Sequence, residues 1–335
     1  MRFRHADLER NKLRLSIRHP SIDGDRIETP DRAAVTSHPF VQTELPGSVR
    51  LEPGDGDLPR LGVGSRTGEA EIYLHGAHLT SWTPAGHAPV IWLSRASTFA
   101  SEVAIRGGSP ICFPWFGPHA VDSQAPSHGF ARLANWTVTD ARETGDDVSL
   151  VFRLTDSGRT RASAWPYRFE AAYRVTVGAA LSLSLQVTNW DTRPVAYEAA
   201  LHTYYAVGDV REVTVTGLEN TAYLDQLAGP EPQRQGPEPV RFTGETDRIY
   251  TDTAATATIE DPGQRRAVSI HKDGSETTVV WNPWSGKAHS MKDFGDDEWT
   301  GMVCVETCNV GEAAIRLEPG AQHTMTATIE VASLG

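Results

Sequence analysis

Two neighbouring segments of the sequence concentrate side chains that could bind a small anion. Residues 104–117 and 127–132 hold Arg106, Arg132 and His128 among aromatic rings, glycines and prolines. Glycine and proline disfavour helix and long strand, so this composition predicts a rigid loop. Guanidinium groups bind phosphate or carboxylate oxygens, and aromatic faces pack on apolar sugar or base surfaces. We predict a binding site for a small anionic ligand here, with a buried turn carrying surface arginines as the alternative.

A glutamate and a histidine elsewhere in the chain have the chemistry of proton transfer. In the segment 303–308, period-two alternation puts Cys304, Glu306 and Cys308 on one face of a strand. A carboxylate among such neighbours is a candidate general base, because burial raises its pKa. His202 precedes two tyrosines and is a candidate general acid. The alternatives are a glutamate that faces water on an edge strand and a hydrogen-bonded core histidine.

Two further segments are candidates for sugar contacts. Asp247 could accept hydrogen bonds from sugar hydroxyls, or it could pair with arginine at the surface. The segment Trp281-Asn282-Pro283-Trp284 is a rigid aromatic turn, and Trp284 could stack on a sugar or close the fold.

No metal or cofactor is expected from motif spacing. His75 and His78 lack further ligands at a recognisable spacing, and the cysteines form no CxxC pair. The glycine pair at 107–108 fits neither a dinucleotide-binding fingerprint nor a P-loop.

The pattern of the rest of the chain predicts strands separated by Gly, Pro, Asn and Asp. The clearest is 181–187, where apolar and polar residues alternate strictly, and the same pattern recurs at 325–331. We predict an all-β fold of two packed sheets forming a single domain over residues 45–335. Residues 1–44 are expected to be a disordered or loosely attached extension, with a short helix near 7–15. Other predicted strands are 71–74, 148–153, 169–177, 213–216, 267–271, 277–281 and 303–307.

Bulk composition narrows the classes of partner. The net charge of -12 argues against nucleic-acid binding, and no apolar stretch is long enough to span a membrane. Three cysteines in 335 residues form no disulfide framework, so we expect a reducing, cytoplasmic setting. A monomer is expected, since no assembly motif is evident.

Seven segments, taken together and in this order, resemble the glucose-6-phosphate 1-epimerase branch of the aldose 1-epimerase family. The resemblance covers about residues 45–335. It implies a galactose-mutarotase-like β-supersandwich and a cofactor-free enzyme that interconverts the α and β anomers of a phosphorylated hexose. The segments are 105–108, 114–117, 128–132, 201–204, 245–250, 281–284 and 303–307.

The resemblance also implies roles for individual residues. His202 matches the family's acid and Glu306 its base, while Arg106, Arg132 and Asp247 match contacts to the phosphate and the sugar.

One position departs from the family pattern. Some members have a glutamine that contacts the sugar directly before the His-Gly pair, whereas this chain has Ser127. Three other functions remain open: an aldose 1-epimerase for unphosphorylated sugars, a noncatalytic carbohydrate-binding module, and a glycosidase using Asp247 and Glu306.

Overall fold

The computed structural model of the chain describes residues 38–335. The helix predicted near residues 7–15, and most of the predicted extension over 1–44, lie outside these residues. Residues 38–44, the described part of the extension, form backbone hydrogen bonds with the rest of the chain. The Gln42 N–H donates to the Val138 carbonyl at 2.9 Å, and the Val138 N–H donates to the Phe40 carbonyl at 2.9 Å.

Alternating apolar and polar residues produce strands along the whole described chain. In chain order the strands are β1 (Val49–Pro53), β2 (Pro59–Gly64), β3 (Gly68–Tyr73), β4 (His78–Pro84), β5 (Ile111–Cys112), β6 (Thr137–Thr144), β7 (Asp147–Thr155), β8 (Phe169–Val177), β9 (Leu181–Asn189), β10 (Val195–Tyr197), β11 (Ala199–Leu201), β12 (Tyr204–Ala206), β13 (Thr214–Thr216), β14 (Ala222–Asp225), β15 (Pro232–Arg234), β16 (Val240–Arg241), β17 (Thr246–Tyr250), β18 (Ala257–Asp261), β19 (Arg266–Asp273), β20 (Thr277–Asn282), β21 (Met302–Asn309), β22 (Ile315–Leu317) and β23 (Gln322–Ser333). Two short α-helices, α1 (Gly158–Arg161) and α2 (Trp284–Ser290), lie between strands.

Two large antiparallel sheets organise these strands. The first has nine strands in the order β16-β13-β18-β19-β23-β9-β8-β7-β6. The second has eight, in the order β15-β14-β17-β20-β21-β11-β5, with β12 also paired to β21. Smaller sheets are formed by β1-β2-β3-β4 and by β10-β22. The predicted all-β fold with two large sheets is confirmed, as are the strands predicted by alternation.

Strand β21 shows how the core and the candidate site share one element. Val303 and Val305 join the main hydrophobic core, together with Leu183 and Ile329 from the nine-stranded sheet. Cys304, on the opposite face of β21, belongs to a separate small cluster. One face of β21 therefore anchors the strand between the sheets, and the other presents side chains on the far side of the eight-stranded sheet.

The described residues form one compact unit by their contacts. No helix in this part of the chain is long and apolar enough to cross a membrane.

Candidate active site

Strand register brings His202 and Glu306 together. β12 pairs with β21 so that Tyr204 lies opposite Cys304. β11 continues the same register, with one residue pair for each step along the two strands. His202, two residues before Tyr204, therefore lies across from Glu306, two residues after Cys304. Their side chains meet with His202 Nδ1 at 3.3 Å from Glu306 Oε1.

Both members of this pair are buried and incompletely satisfied. Glu306 is 1% exposed and His202 is 8% exposed. Neither Glu306 Oε1 nor His202 Nδ1 has a hydrogen-bond partner of good geometry. Buried polar atoms are almost always bonded in folded proteins, so two orphaned atoms facing each other are typical of a site that receives a ligand.

The surroundings shift both pKa values toward the uncharged forms. Burial raises the pKa of Glu306 well above its ordinary value, and the nearby Asp247 raises it further, while Arg132 acts in the opposite direction. Burial lowers the pKa of His202, and the positive charges of Arg132 and Arg106, with that of His128 when it is protonated, lower it further. An environment that makes a carboxylate more basic and an imidazolium more acidic suits a base and an acid.

Arg106 lies within a network of polar side chains. Its Nε and Nη2 atoms each lie 3.1 Å from Asp293 Oδ2, and its Nη1 donates to the Tyr204 hydroxyl at 3.0 Å. The Tyr204 ring stacks on the His202 ring, with centroids 4.9 Å apart and planes inclined by 10°. Asp293 holds Arg106 from one side, and Arg106 in turn fixes the ring on which His202 rests.

Arg132 is less fully bonded than Arg106. Its Nη2 donates to the Ser127 carbonyl at 2.8 Å, and its buried Nε has no partner. The Ser127 side chain is exposed. In the structure, Ser127 thus contributes to the site through its backbone, by orienting Arg132.

His128 is held by an unusual backbone turn. His128 and Gly129 both have positive φ, +62° and +73°. A Cβ at Gly129 would lie 2.0 Å from the Phe113 carbonyl oxygen, so only glycine fits there. His128 Nδ1 accepts the Gly117 N–H at 3.2 Å, so a neutral His128 carries its proton on Nε2. Its ring meets the His202 ring edge-on, with centroids 5.6 Å apart.

Asp247 lies in the same sheet as Glu306, two strands away from it. On β17 it pairs with Trp281 on β20, and Trp281 pairs in turn with Cys304 on β21. Burial raises the pKa of Asp247 to about 6, with Glu245 contributing. Trp281 presents its ring to His202 in a T-shaped contact at 6.2 Å between centroids.

Trp284 lies in a different environment from Trp281. It begins α2 and packs on Trp299, with ring centroids 4.3 Å apart. Of the two tryptophans in the predicted aromatic turn, Trp281 is the one whose ring contacts His202.

The structure therefore gathers His202, Glu306, Arg106, Arg132 and His128 around one centre, with Asp247 close enough to act on the pKa of Glu306. Sequence reasoning missed the roles of Tyr204 and Asp293. Tyr204 shares the alternating face of His202, a signal that was present, whereas Asp293 comes from a loop that no pattern linked to Arg106.

Such a site on a two-sheet fold defines a class of protein. The sequence profile of the aldose 1-epimerase family matches residues 61–330, and the chain belongs to that family. The "Putative glucose-6-phosphate 1-epimerase" of Cenchrus ciliaris is 38% identical over an alignment of 268 residues that covers 77% of this chain and 79% of the relative. The resemblance inferred from the seven segments is confirmed.

Solved structures agree with this assignment. A "putative mutarotase" from Salmonella typhimurium superposes with a TM-score of 0.81 at 34% identity, covering 87% of this chain and 95% of that one. A galactose mutarotase-like protein from Clostridium acetobutylicum, at 13% identity, has the same fold with a TM-score of 0.63, covering 85% and 98% of the two chains.

Proposed function

We propose that this protein interconverts the α and β anomers of hexose 6-phosphates, with glucose 6-phosphate as the main substrate. The observation that carries the proposal is the buried contact of 3.3 Å between His202 and Glu306, with two arginines beside it. The relative from Cenchrus ciliaris, named for this activity, supports the choice of substrate.

In the proposed reaction Glu306 is the base and His202 is the acid. Glu306 removes the proton from the C1 hydroxyl while His202 protonates the ring oxygen, and the hemiacetal opens to an aldehyde. Rotation about the C1–C2 bond exposes the other face of the carbonyl. Ring closure then returns both protons by the reverse transfers, so the enzyme ends each cycle in its starting protonation state.

The pKa shifts favour the ring-opening half of this cycle. Ring opening converts a charged pair into a neutral histidine and a protonated glutamate, which is the direction that burial favours. In the substrate complex, a phosphate dianion would offset the charges of Arg106 and Arg132. Because those charges lower the pKa of His202, phosphate binding would raise that pKa and help His202 to carry its proton at the start.

Arg132 and Arg106 are the proposed phosphate ligands, and Asp247 is a proposed sugar contact. Arg132 is the stronger candidate because its Nε has no partner within the described chain. Binding the phosphate away from C1 uses remote binding energy to orient the reacting atoms. His128, Trp284 and Ser127 remain proposed substrate contacts.

The test compares freshly dissolved α-glucose 6-phosphate with α-glucose, following anomerisation by polarimetry or NMR and subtracting the uncatalysed rate. Arg132→Ala should raise KM for the phosphosugar by roughly 10- to 100-fold, the effect of losing a charged hydrogen bond, and leave KM for glucose nearly unchanged. Arg66→Ala, at an arginine whose side chain is 80% exposed, controls for the loss of one charge. An equal effect of Arg132→Ala on both sugars would remove the phosphate role.

One observation favours an alternative substrate. Arg106 is bonded to Asp293 and Tyr204, so it could be structural, and the same acid and base would then serve an unphosphorylated aldose. Faster catalysis on glucose than on glucose 6-phosphate in the same assay would select this alternative.

We further propose that the enzyme acts as a cytoplasmic monomer. The three cysteines Cys112, Cys304 and Cys308 are free thiols, which fits a reducing compartment.

A further inference from the structure

We propose that His202, Cys304 and Glu306 form a binding site for a thiophilic divalent metal ion, with Zn²⁺ as the expected occupant, and that the ion inhibits the enzyme by occupying its acid and base. Their potential ligand atoms, one nitrogen, one sulfur and one carboxylate oxygen, all lie within 4.8 Å of one another. The inhibition, though not the binding, rests on the proposed function.

The geometry is close to that of a zinc centre. With Zn–N and Zn–O bonds of about 2.0 to 2.2 Å, two ligand atoms of a tetrahedral site are about 3.4 Å apart. His202 Nδ1 and Glu306 Oε1 are 3.3 Å apart. With a Zn–S bond of about 2.3 Å, the sulfur of a tetrahedral site is about 3.6 Å from the nitrogen and the oxygen. The Cys304 sulfur, within 4.8 Å of both atoms, therefore needs to approach by no more than about 1.2 Å to complete a three-ligand site. An open fourth position would remain for water or an anion.

The two nearest ligand atoms are free to bind. His202 Nδ1 and Glu306 Oε1 are buried and have no hydrogen-bond partner, so an ion would displace no existing bond at either atom. Both residues are more than nine-tenths buried, and strand pairing fixes their positions. A site that is already assembled loses little conformational entropy when it binds an ion.

The local charges also balance with an ion present. Arg106 and Arg132 oppose a cation, but the carboxylates of Asp293 and Asp247 lie near the same centre and offset them. Glu306 and a Cys304 thiolate would then supply the two negative charges that a divalent ion neutralises. Cys304 is a thiol before the metal arrives, and the proton it loses on binding passes to the solvent.

The donor set determines which metals bind. Nitrogen and thiolate sulfur favour Zn²⁺ and Co²⁺, whereas Mg²⁺ and Ca²⁺ prefer oxygen ligands alone. Motif spacing predicts no metal site because only Cys304 and Glu306 are close together along the chain. His202 comes from the segment between β11 and β12, which pair with β21.

The experiment adds Co²⁺ to the metal-free full-length protein and records the thiolate-to-metal charge-transfer and visible absorption of a tetrahedral complex. Wild type should show both bands. Cys304→Ser should lose the charge-transfer band and bind at least about 100-fold more weakly, since even changes outside the ligand shell cost 10- to 100-fold. Cys308→Ser is the matched control for replacing a thiol beside Glu306: Cys308 is equally buried on the same face of β21 and its Sγ donates to Glu306 Oε2 at 4.0 Å, but it lies outside the cluster. Thermal unfolding of both variants verifies that they are folded.

The second arm measures anomerisation of α-glucose 6-phosphate with Zn²⁺ and then with EDTA. Zn²⁺ should stop wild type and Cys308→Ser reversibly, while Cys304→Ser, which keeps the acid and the base, should retain its rate at the same concentration. An absent band in wild type, or a band that survives in Cys304→Ser, would overturn the metal site. Co²⁺ binding by a protein that never accelerates anomerisation would instead overturn the proposed function and leave the site standing.

Discussion

The carboxyl group of Asp247 should make this protein less stable at neutral pH than its Asn variant. Burial raises its pKa from 3.8 to about 6, with Glu245 and Asp225 raising it further and Lys287 opposing them. A carboxyl whose pKa is raised on folding binds a proton more tightly in the folded state. Ionisation of Asp247 therefore lowers the free energy of unfolding as pH rises from 3.8 to about 6, and the whole loss is present above about pH 6.

The size of the effect follows from the shift. A difference of about two pH units, at 1.36 kcal/mol per unit, gives about 3 kcal/mol as an upper bound. Asp247→Asn has the shape of the protonated acid but cannot ionise. We expect the variant to gain up to about 3 kcal/mol of unfolding free energy relative to wild type between pH 4 and pH 8, while losing activity if Asp247 contacts the sugar.

Urea unfolding of both proteins at several pH values between 4 and 8 measures this difference. Asp146→Asn, at a carboxylate that is 56% exposed beside Arg66, gives the baseline for removing one negative charge from a chain of net charge -12. A difference between Asp247→Asn and wild type that stays constant across this range, or that matches the Asp146→Asn baseline, would show that ionisation of Asp247 does not destabilise the folded state.

Two further substitutions test the parts that hold the site. Tyr204→Phe keeps the ring stacked on His202 but removes the hydroxyl that accepts from Arg106, so kcat/KM for α-glucose 6-phosphate should fall roughly tenfold; an unchanged value would contradict the positioning role. Gly129→Ala should lower both Tm and activity, because the new Cβ meets a carbonyl oxygen, whereas Gly145→Ala, with a similar positive φ and open space around it, should cost only about 1 kcal/mol; equal losses in both variants would show that the close contact does not matter.

Local pattern was enough to predict nine of the 23 strands of the described chain, and β7, β8, β9, β19, β21 and β23 are the long ones among them. The sequence predicts a strand at 169–177, and β8 has the same bounds, because strict alternation matches a sheet with one buried face. The same reasoning put Cys304, Glu306 and Cys308 on one face, which the pairing of β21 with β20 confirms. The sequence also indicated which residues form the site, because arginine, histidine and glutamate have few structural roles within apolar segments.

How these residues come together could not be predicted from the sequence, because the site depends on contacts between segments that are distant along the chain. His202 meets Glu306 only through the register of β11 and β12 on β21. The partner of Arg106 is Asp293, 187 residues further along the chain. Motif spacing likewise identifies only ligands that lie close together along the chain. The proximity of His202 to Cys304 became evident only from the three-dimensional structure.

The segment 281–284 shows that residue type alone does not distinguish two neighbouring tryptophans. Trp281 and Trp284 are equivalent by residue type, and the sequence favoured Trp284. In the structure β20 ends at Asn282, so only Trp281 shares the sheet with Glu306, while Trp284 turns into α2 and packs on Trp299.

The most direct test of the account is the rate at which fresh α-glucose 6-phosphate reaches anomeric equilibrium with wild type, Glu306→Gln and His202→Asn, each corrected for the uncatalysed rate. Both substitutions are near-isosteric, and thermal unfolding verifies folding. If Glu306 is the base and His202 the acid, each variant should lose at least about 100-fold in kcat, the usual contribution of general acid or base catalysis. Either folded variant anomerising the sugar as fast as wild type would contradict the account.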